Sequence, residues 1–315
     1  MKTFACALAA LVVATPAWAD DSSAALGAGG LVFLKQADIR MAREDLYLSP
    51  KEVRVRYEFA NDGAKDVDTI VAFPLPDIDV REFWYEPLGT TLDRQPDFMG
   101  FALKVDGKPV AATPDERAMQ GGRDVTAKVR AAGLPLNIVG RALVDRIEKM
   151  PVAERKRLAK DGILEMDGDD AHPRWIAKTS FWWRQHFPAR KTVVIEHRYQ
   201  PVTGQSLFGA SEIKDGAKEF CIDAATAASV KSRVAKLDPM TGQYLRAYRT
   251  EFVLKTASNW KGPIGHFRLT LDKLKPDNLL SLCWDGALKK TGATTFEAAR
   301  DDFAPARDIE LLVLQ

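Results

Sequence analysis

The strict alternation of apolar and polar residues constrains the fold of this chain more than any other feature. Apolar and charged residues alternate from Val53 to Phe59, which predicts a strand with one buried face. The turn signal Asn61-Asp62-Gly63 follows, and an apolar run returns from Val67 to Phe73. Similar short runs recur in the C-terminal part, at Tyr248–Leu254, Gly265–Leu271, Leu279–Cys283 and Ile309–Leu314. The pattern predicts a mainly β protein of antiparallel, β-sandwich-like sheets, not a parallel sheet with crossover helices.

The middle of the chain has a helical pattern instead. From Pro114 to about Leu164, charged segments are broken by glycine and proline, and apolar residues recur at helical spacing at Leu136, Val139, Leu143, Val144 and Ile147. We interpret this as a helical insertion, giving an α+β organisation. It either packs as a layer on one sheet face, the interpretation that we favour, or covers a cleft. The predicted division is 1–19 signal peptide, 20–112 N-terminal β-sandwich-like part, 113–165 helical insertion and 166–315 C-terminal β-rich part.

The first residues have the pattern of a cleavable secretory signal peptide. Lys2 gives a positive start, Phe4–Ala14 is an uncharged apolar run, and Ala17-Trp18-Ala19 is a small-x-small cleavage site. The apolar run is too short to cross a bilayer as a helix. We therefore expect a mature chain that begins near Asp20 and works in the periplasm.

Charge and hydropathy exclude some partner classes. The formal net charge is +2, and residues 1–19 carry one lysine and no acid, so the mature chain has a charge of +1. Such a balance gives no electrostatic reason to expect nucleic acid or anionic lipid as a partner. No later stretch reaches the roughly 18 apolar residues that a membrane span needs. The expected partner is an unknown periplasmic protein or a small ligand.

Cysteine content agrees with export. Without Cys6, which lies in the signal peptide, the chain keeps only Cys221 and Cys283. An even number in an oxidising compartment predicts a structural disulfide, with free thiols as the alternative. A redox or metal role is disfavoured because neither cysteine has a CxxC partner or a nearby histidine. The bridge would close a loop of about 60 residues and stabilise the fold by ~4 kcal/mol.

No catalytic or cofactor motif is present in the sequence. HExxH, a phosphate-binding loop and a dinucleotide fingerprint are all missing. The segment Gly204–Gly209 has a serine between glycines, but its spacing differs from that of a nucleophile elbow. We expect no cofactor and assign no catalytic residue from motifs.

One acidic loop is a weak candidate for calcium. Asp167, Asp169 and Asp170 concentrate hard oxygen ligands around Gly168. The complete calcium-loop pattern, with a bidentate glutamate at its twelfth position, is missing. A solvated acidic turn is therefore the favoured interpretation. The four histidines are spread along the chain, so their spacing predicts no zinc site.

An aromatic segment is the second candidate. Alternation puts Trp182, Arg184 and His186 on one face of a strand, and Trp260 lies in another aromatic-rich segment. Such a face could stack a sugar, a peptide or a lipid headgroup. Burial of these aromatic residues in the core explains them equally and is favoured, because large aromatic side chains are mostly buried.

Several longer segments of the chain form a recognisable set: Asp21–Phe33, Ile39-Arg40-Met41, Glu52–Phe59, Val71–Pro76, Phe187-Pro188-Ala189, His197–Pro201 and Thr256–Ile264. Together they resemble one bacterial family of exported proteins, domain of unknown function 4424. The resemblance covers nearly all of the mature chain and implies a periplasmic protein. It transfers no catalytic residue.

Two functional hypotheses follow. The first is a non-catalytic periplasmic binding or interaction protein, favoured by the β-rich pattern and the missing motifs. The alternative is a hydrolase or carbohydrate-active enzyme that uses carboxylates such as Asp77, Asp79 and Glu82. Paired carboxylates serve as acid and base only when a cleft holds them at a defined separation.

Overall fold

The computed structural model describes residues 22–27, 30–35, 37–84, 97–237 and 242–315, so the predicted signal peptide lies outside the described residues. The strands of the N-terminal half are β1 Ser22–Gly27, β2 Gly30–Leu34, β3 Ile39–Leu48, β4 Val53–Asn61, β5 Val67–Pro74, β6 Ile78–Asp79, β7 Ala102–Val105, β8 Lys108–Val110, β9 Thr113–Gln120 and β10 Arg123–Asp124. Those that follow are β11 Leu164–Asp167, β12 Asp170–Pro173, β13 Ile176–Phe187, β14 Thr192–Tyr199, β15 Thr203–Phe208, β16 Leu245–Phe252, β17 Ile264–Asp272, β18 Leu279–Ser281, β19 Lys289–Lys290, β20 Thr295–Phe303 and β21 Ile309–Leu314.

These strands form three large sheets and one hairpin. The seven-stranded sheet has the order β10-β9-β13-β5-β1-β2, with β6 paired to β13. The eight-stranded sheet has the order β19-β20-β17-β3-β4-β14-β7-β8, and the four-stranded sheet has the order β15-β16-β21-β18. Strands β11 and β12 form the hairpin. The predicted mainly β fold of antiparallel sheets is confirmed.

The two larger sheets face each other across one aromatic core. In β13 every second residue is buried, so Phe181, Trp183 and Phe187 face inward. They contact the eight-stranded sheet through ring pairs such as Phe59–Phe187, with centroids 5.9 Å apart. Such pairs add to the free energy gained by burying the rings. The two-residue alternation in the sequence thus corresponds to the alternation of buried and more exposed side chains along the strand.

One strand pair is parallel, which the sequence pattern did not indicate. Strands β3 and β17 run in the same direction, and β3 has a register shift between Met41 and Arg43. A Cβ on Gly265 would lie 2.7 Å from the carbonyl oxygen of Ala42, so only glycine permits this close approach.

The helices of the middle segment form a layer with its own small core. They are α1 Thr126–Ala131, α2 Ala142–Glu148 and α3 Val152–Lys160. Their apolar faces pack with residues of β9, β11, β12 and β13 in a cluster that contains Leu143, Ile147 and Trp175. The Trp175 indole donates a hydrogen bond to the Leu136 carbonyl at 2.6 Å. Burial of an amphipathic face thus accounts for these helices.

Two further helices cover one face of the four-stranded sheet. Helices α4 Ile213–Glu219 and α5 Ala224–Val234 pack there on Phe208, Leu312 and their neighbours. A Cβ on Gly216 of α4 would lie 2.9 Å from Phe208, so glycine lets this helix approach the sheet closely. The predicted disulfide is present just after α4, where Cys221 is bonded to Cys283 with a Cα–Cα distance of 4.9 Å. It ties the end of α4 to the segment after β18.

Candidate binding cleft

A cleft of about 480 Å³ lies beside the exposed part of the four-stranded sheet. Its walls come from the β6 segment with the 3-10 helix Glu82–Trp84, from strands β15, β16 and β21, and from the end of α4. Among the described residues, six acidic side chains line it and one basic side chain, that of Arg249. The acidic residues are Asp77, Asp79, Glu82, Glu219, Glu251 and Glu310. We call this site the acidic cleft.

Local hydrogen bonding orients the acidic residues of the β6 segment. The Asp79 carboxylate accepts a hydrogen bond from the backbone N–H of Arg81 at 3.0 Å, which begins the 3-10 helix. Asp77 forms an ion pair with Lys178 of β13. Burial nevertheless raises the pKa of Asp77, although the Lys178 ammonium opposes the shift. Two of the three carboxylates chosen from the sequence therefore already have partners within the fold.

Glu251 and Glu310 differ because they face each other across a strand pair. They are directly opposite in the register of β16 and β21. Like charges in this position destabilise a sheet. Among the described residues, no basic side chain donates a hydrogen bond to either carboxylate, and the neighbouring Lys255 is 2.9 Å from Asp308 instead.

Burial and this repulsion both raise the pKa of Glu251. Burial, followed by the charges of Glu310, Asp308 and Asp77, raises its pKa to about 7, while Lys255 opposes the shift. The pKa of Glu310 is also raised, first by burial and then by the charges of Glu219 and Asp308. The charges of Lys255 and Arg307 thus only partly offset the burial and like-charge repulsion of this pair.

The remaining wall is mixed in character. Arg249 lies opposite Gly204 in the register, 3.9 Å from Glu219 and over the ring of Phe220 at 5.7 Å. Two buried atoms of this wall, Ser206 Oγ and Arg249 Nε, have no hydrogen-bond partner within the described part of the chain. Apolar lining comes from Phe83, Phe220, Ile176 and Val202. The cleft thus offers carboxylates, polar groups and apolar surface together, as ligand pockets do.

A second concave surface, of about 690 Å³, lies on the outer face of the eight-stranded sheet. Basic and acidic residues alternate in register across it, in the order Arg268, Asp45, Arg56, Glu196 and Lys104. We call this surface the arginine-rich face.

In the next register row of that face, Arg54 and Arg198 lie directly opposite each other. Glu52 accepts hydrogen bonds from both, at 2.7 and 2.6 Å. Charge on this face is thus largely neutralised within the fold, and the acidic cleft is the better candidate for a ligand.

The structure brings together three of the four predicted ligand-binding residues. Trp182, Arg184 and His186 share the outer face of β13, as the alternation predicts. Trp182 packs on the small cluster of Ile70 and Ala72. None of the three lines the acidic cleft.

Acidic neighbours surround the imidazole of His186. Its Nδ1 is 2.8 Å from Asp68 Oδ1, and its Nε2 is 3.7 Å from Asp66 Oδ2.

Trp260 lies apart from this face. Its side chain is 3 % exposed and packs between Phe59 and Phe187, with centroid distances of 4.6 and 6.1 Å. His197 also belongs to the core, where its ring contacts Phe73 and Trp183. Burial lowers the pKa of His197 to about 3, so its imidazole is neutral. Trp260 and His197 thus pack within the sandwich.

The acidic loop proposed for calcium is the turn of the β11–β12 hairpin. Asp167 and Asp170 are paired in its register, with Gly168 at a φ of 61° in the turn. The nearest cations are basic side chains, Lys156 at 3.7 Å from Asp169 and Arg155 at 3.8 Å from Asp170. Within the described part of the chain, no group of three or more histidine, cysteine or acidic side chains is arranged to hold a metal ion.

Sequence analysis missed half of the acidic cleft. It selected Asp77, Asp79 and Glu82, but not Glu219, Glu251 or Glu310. A usable signal was the single glutamate in the otherwise apolar run Ile309–Leu314, because a charge inside a buried strand requires a reason.

These features define a β-sandwich protein with a helical layer and an acidic cleft beside its four-stranded sheet. The chain belongs to the family described as domain of unknown function DUF4424, whose pattern matches residues 19–312. The predicted family is therefore confirmed. No curated protein matches the chain significantly.

Solved structures show distant likeness only. A proposed nutrient binding protein from Legionella pneumophila subsp. pneumophila str. Philadelphia 1 is similar with a TM-score of 0.49 and 14 % identity, over 93 % of this chain and 69 % of that one. An M1 zinc metallopeptidase from Deinococcus radiodurans has a TM-score of 0.31 and 7 % identity, over 89 % of this chain and 43 % of that one. Both likenesses are too distant to assign a function.

No helix in the described residues is both long enough and apolar enough to cross a bilayer.

Proposed function

We propose that the protein is a non-catalytic periplasmic binding protein whose acidic cleft takes a cationic ligand. The observation that carries this proposal is the cross-strand pair of Glu251 and Glu310, which has no basic hydrogen-bond partner among the described residues. A bound cation would remove the repulsion of this pair, so binding is favoured by relief of a cost already present in the free protein. The disulfide and the predicted signal peptide support a location outside the cytoplasm.

The test is isothermal titration of the oxidised protein with a polyamine such as spermidine and with an uncharged polyether of similar length. We expect saturable binding of the polyamine alone. Glu251→Gln should weaken binding about tenfold, since it removes one partner of a charged contact. Glu148→Gln is the matched control, because it removes the same charge from α2, outside the cleft. Equal binding of both compounds, or no binding of either, contradicts the proposal.

A second candidate function is hydrolysis, favoured by the pKa of Glu251. A carboxyl group with a pKa of about 7 beside other carboxylates has the property of a general acid or base at neutral pH. Asp77, whose charge acts on Glu251, would be its ionised neighbour. The test is a panel of glycoside, ester and peptide substrates assayed from pH 5 to 9. Turnover that Glu251→Gln abolishes would favour this candidate over binding alone.

A further inference from the structure

Arg249 is the one basic side chain among the described residues that line the acidic cleft, and the fold uses little of its hydrogen-bonding capacity. The carboxylate of Glu219 lies 3.9 Å from its Nη1, which is beyond hydrogen-bond distance. Its buried Nε has no hydrogen-bond partner in the described part of the chain. The side chain is 41 % exposed, so a ligand in the cleft can reach the outer part of the guanidinium. Arg249 therefore has donors available for an anionic group.

This arginine lies on the same face of the four-stranded sheet as the Glu251–Glu310 pair. Arg249 precedes Glu251 by two residues on β16, so both side chains point to one side and their Cα atoms are about 7 Å apart. Within the described structure no ion pair joins Arg249 to either glutamate, and the basic charge that acts on Glu251 is that of Lys255. The cleft thus presents one positive group beside two negative groups, at a separation that a small molecule can span.

Aromatic rings supply an apolar surface beside the guanidinium. The ring centroid of Phe220 lies 5.7 Å from the guanidinium carbon of Arg249. The Phe83 ring packs over Gly204, with its Cε1 3.5 Å from the position that a Cβ would take, and Gly204 is opposite Arg249 in the register. A ligand whose charged groups are joined by a hydrocarbon chain would bury that chain against these rings.

We propose that the ligand of the acidic cleft is a free basic amino acid, a small molecule with two ammonium groups, one carboxylate and a hydrocarbon chain. Its carboxylate binds Arg249, and one ammonium group binds Glu251 and Glu310. The second ammonium group matches the excess of acidic over basic side chains in the cleft. The inference rests on the proposed function, because it uses the same carboxylates.

Charge decides between a carboxylate and a phosphate as the anionic group, since arginine binds both. A phosphate monoester carries about two negative charges at neutral pH, whereas a carboxylate carries one. The described lining of the cleft contains six acidic side chains, and Glu219 is the one nearest to the guanidinium, at 3.9 Å. Their field opposes a dianion more strongly than a monoanion, so the carboxylate is favoured.

The test compares L-lysine with cadaverine, the diamine in which hydrogen replaces the carboxylate of lysine. Both are titrated calorimetrically against the oxidised protein at pH 7. Spermidine tests the proposed function separately, and Nα-acetyl-lysine represents a lysine at the carboxyl end of a peptide. We expect lysine to bind at least about tenfold more tightly than cadaverine, because charged hydrogen bonds to Arg249 add to the ammonium contacts. Nα-acetyl-lysine, which lacks one ammonium group, should bind more weakly than lysine.

The variant Arg249→Met removes the guanidinium and keeps an apolar stem. Lysine should then bind at least about tenfold more weakly, while cadaverine should bind as tightly as before or more tightly, because a positive charge has left the cleft. Cadaverine binding also shows that the cleft of this variant is folded. Arg246→Met is the matched control, since Arg246 is on the same strand but outside the described lining of the cleft, and both affinities should stay unchanged.

The comparison of lysine with cadaverine in the unaltered protein needs no variant and decides the inference by itself. Cadaverine binding as tightly as lysine overturns the amino-acid ligand but leaves cation binding in the cleft intact. A preference for lysine that persists in Arg249→Met does the same, as does spermidine binding without lysine binding. Equal binding of lysine and Nα-acetyl-lysine overturns the free amino acid in favour of a peptide end. If none of the four probes binds, the proposed function fails and this inference fails with it.

Discussion

The acidic cleft and the arginine-rich face both place like charges directly opposite each other on neighbouring strands, but they differ in how the fold compensates them. Arg54 and Arg198 share the carboxylate of Glu52. Glu251 and Glu310 have no basic hydrogen-bond partner among the described residues, and Lys255, whose charge acts on both, forms its ion pair with Asp308 instead. A folded chain can satisfy a like-charge pair internally, and where it does not, the remaining field is available to a ligand.

Two carboxylates show the difference in their pKa values. Burial tends to raise the pKa of Asp45 on the arginine-rich face, but hydrogen bonding to Arg43 and the charges of Arg43 and Arg268 bring it below its usual range. Burial also raises the pKa of Glu251, and there the charges of Glu310, Asp308 and Asp77 outweigh that of Lys255 and raise it further, to about 7. Similar residues in similar strands thus have opposite shifts because their neighbours differ in sign.

The largest expected effect is the loss of stability when the disulfide beside the acidic cleft is removed. The arginine-rich face lies on adjacent strands of one sheet, whereas the cleft wall at Glu219 and Phe220 depends on the disulfide that follows α4. Replacing Cys221 and Cys283 together by serine should lower the free energy of unfolding by about 4 kcal/mol, because the bridge spans 62 residues. Urea unfolding measures this.

The comparison is sharpened by hydrogen exchange on the same variant. Amides of β4 and β14 beneath the arginine-rich face should exchange faster only through global unfolding, while those of α4 and β18 should be accelerated further by local opening. Uniform acceleration across both surfaces would show that the bridge stabilises the whole molecule instead of the cleft wall.

The second-largest effect is the pH-dependent loss of stability that Glu251 causes in the acidic cleft. Its pKa rises from a usual 4.5 to about 7 on folding, so the folded state binds more protons than the unfolded state between these values. Stability from this group is therefore lost as the pH rises from 4.5 to 7, and the cost is complete above 7. Glu251→Gln should stabilise the protein at pH 8 by on the order of 2 kcal/mol and have little effect at pH 4. Thermal unfolding at the two pH values, with Glu148→Gln as control, measures this; destabilisation at pH 8 would contradict it.

The third effect is a loss of stability, and it concerns the arginine-rich face. Glu52→Gln should lower the free energy of unfolding by about 1–2 kcal/mol, because it weakens two charged hydrogen bonds and exposes Arg54 and Arg198 to each other. Glu58→Gln is the control, since the ion pair that Glu58 forms in the described structure is with one arginine, Arg56, and should contribute less than about 1 kcal/mol. Urea unfolding at pH 7 compares the two variants. An equal decrease in the free energy of unfolding would show that a carboxylate shared by two arginines stabilises no more than a single ion pair does.

These two surfaces also show what sequence alone can predict. The alternation of β13 gave the shared face of Trp182, Arg184 and His186, because the side-chain period of a strand is fixed by its backbone. The family and the β-rich class followed from patterns of the same local kind. The Glu251–Glu310 pair joins residues 59 positions apart, through a register that only the assembled sheet defines.

The parallel pairing of β3 with β17 was equally out of reach. It joins strands more than 200 positions apart in sequence, and neither strand's own pattern specifies the direction of its partner. Asp77, Asp79 and Glu82 could be selected because they cluster in sequence, whereas Glu251 and Glu310 join the cleft only through the assembled sheet.

The smallest effect is the pH dependence of cation binding, which should belong to the cleft alone. Near pH 7 the ionised fraction of Glu251 rises steeply, in a field set by Glu310, Asp308, Asp77 and Lys255. Spermidine favours the ionised form, so its affinity should rise about fivefold from pH 6 to pH 8. Titration calorimetry at the two pH values measures this, together with the proton release that linkage requires near pH 7. Glu251→Gln should abolish most of the dependence. A slope that persists in this variant would assign the titration to another group, and the comparison between the two surfaces would then lose its electrostatic basis.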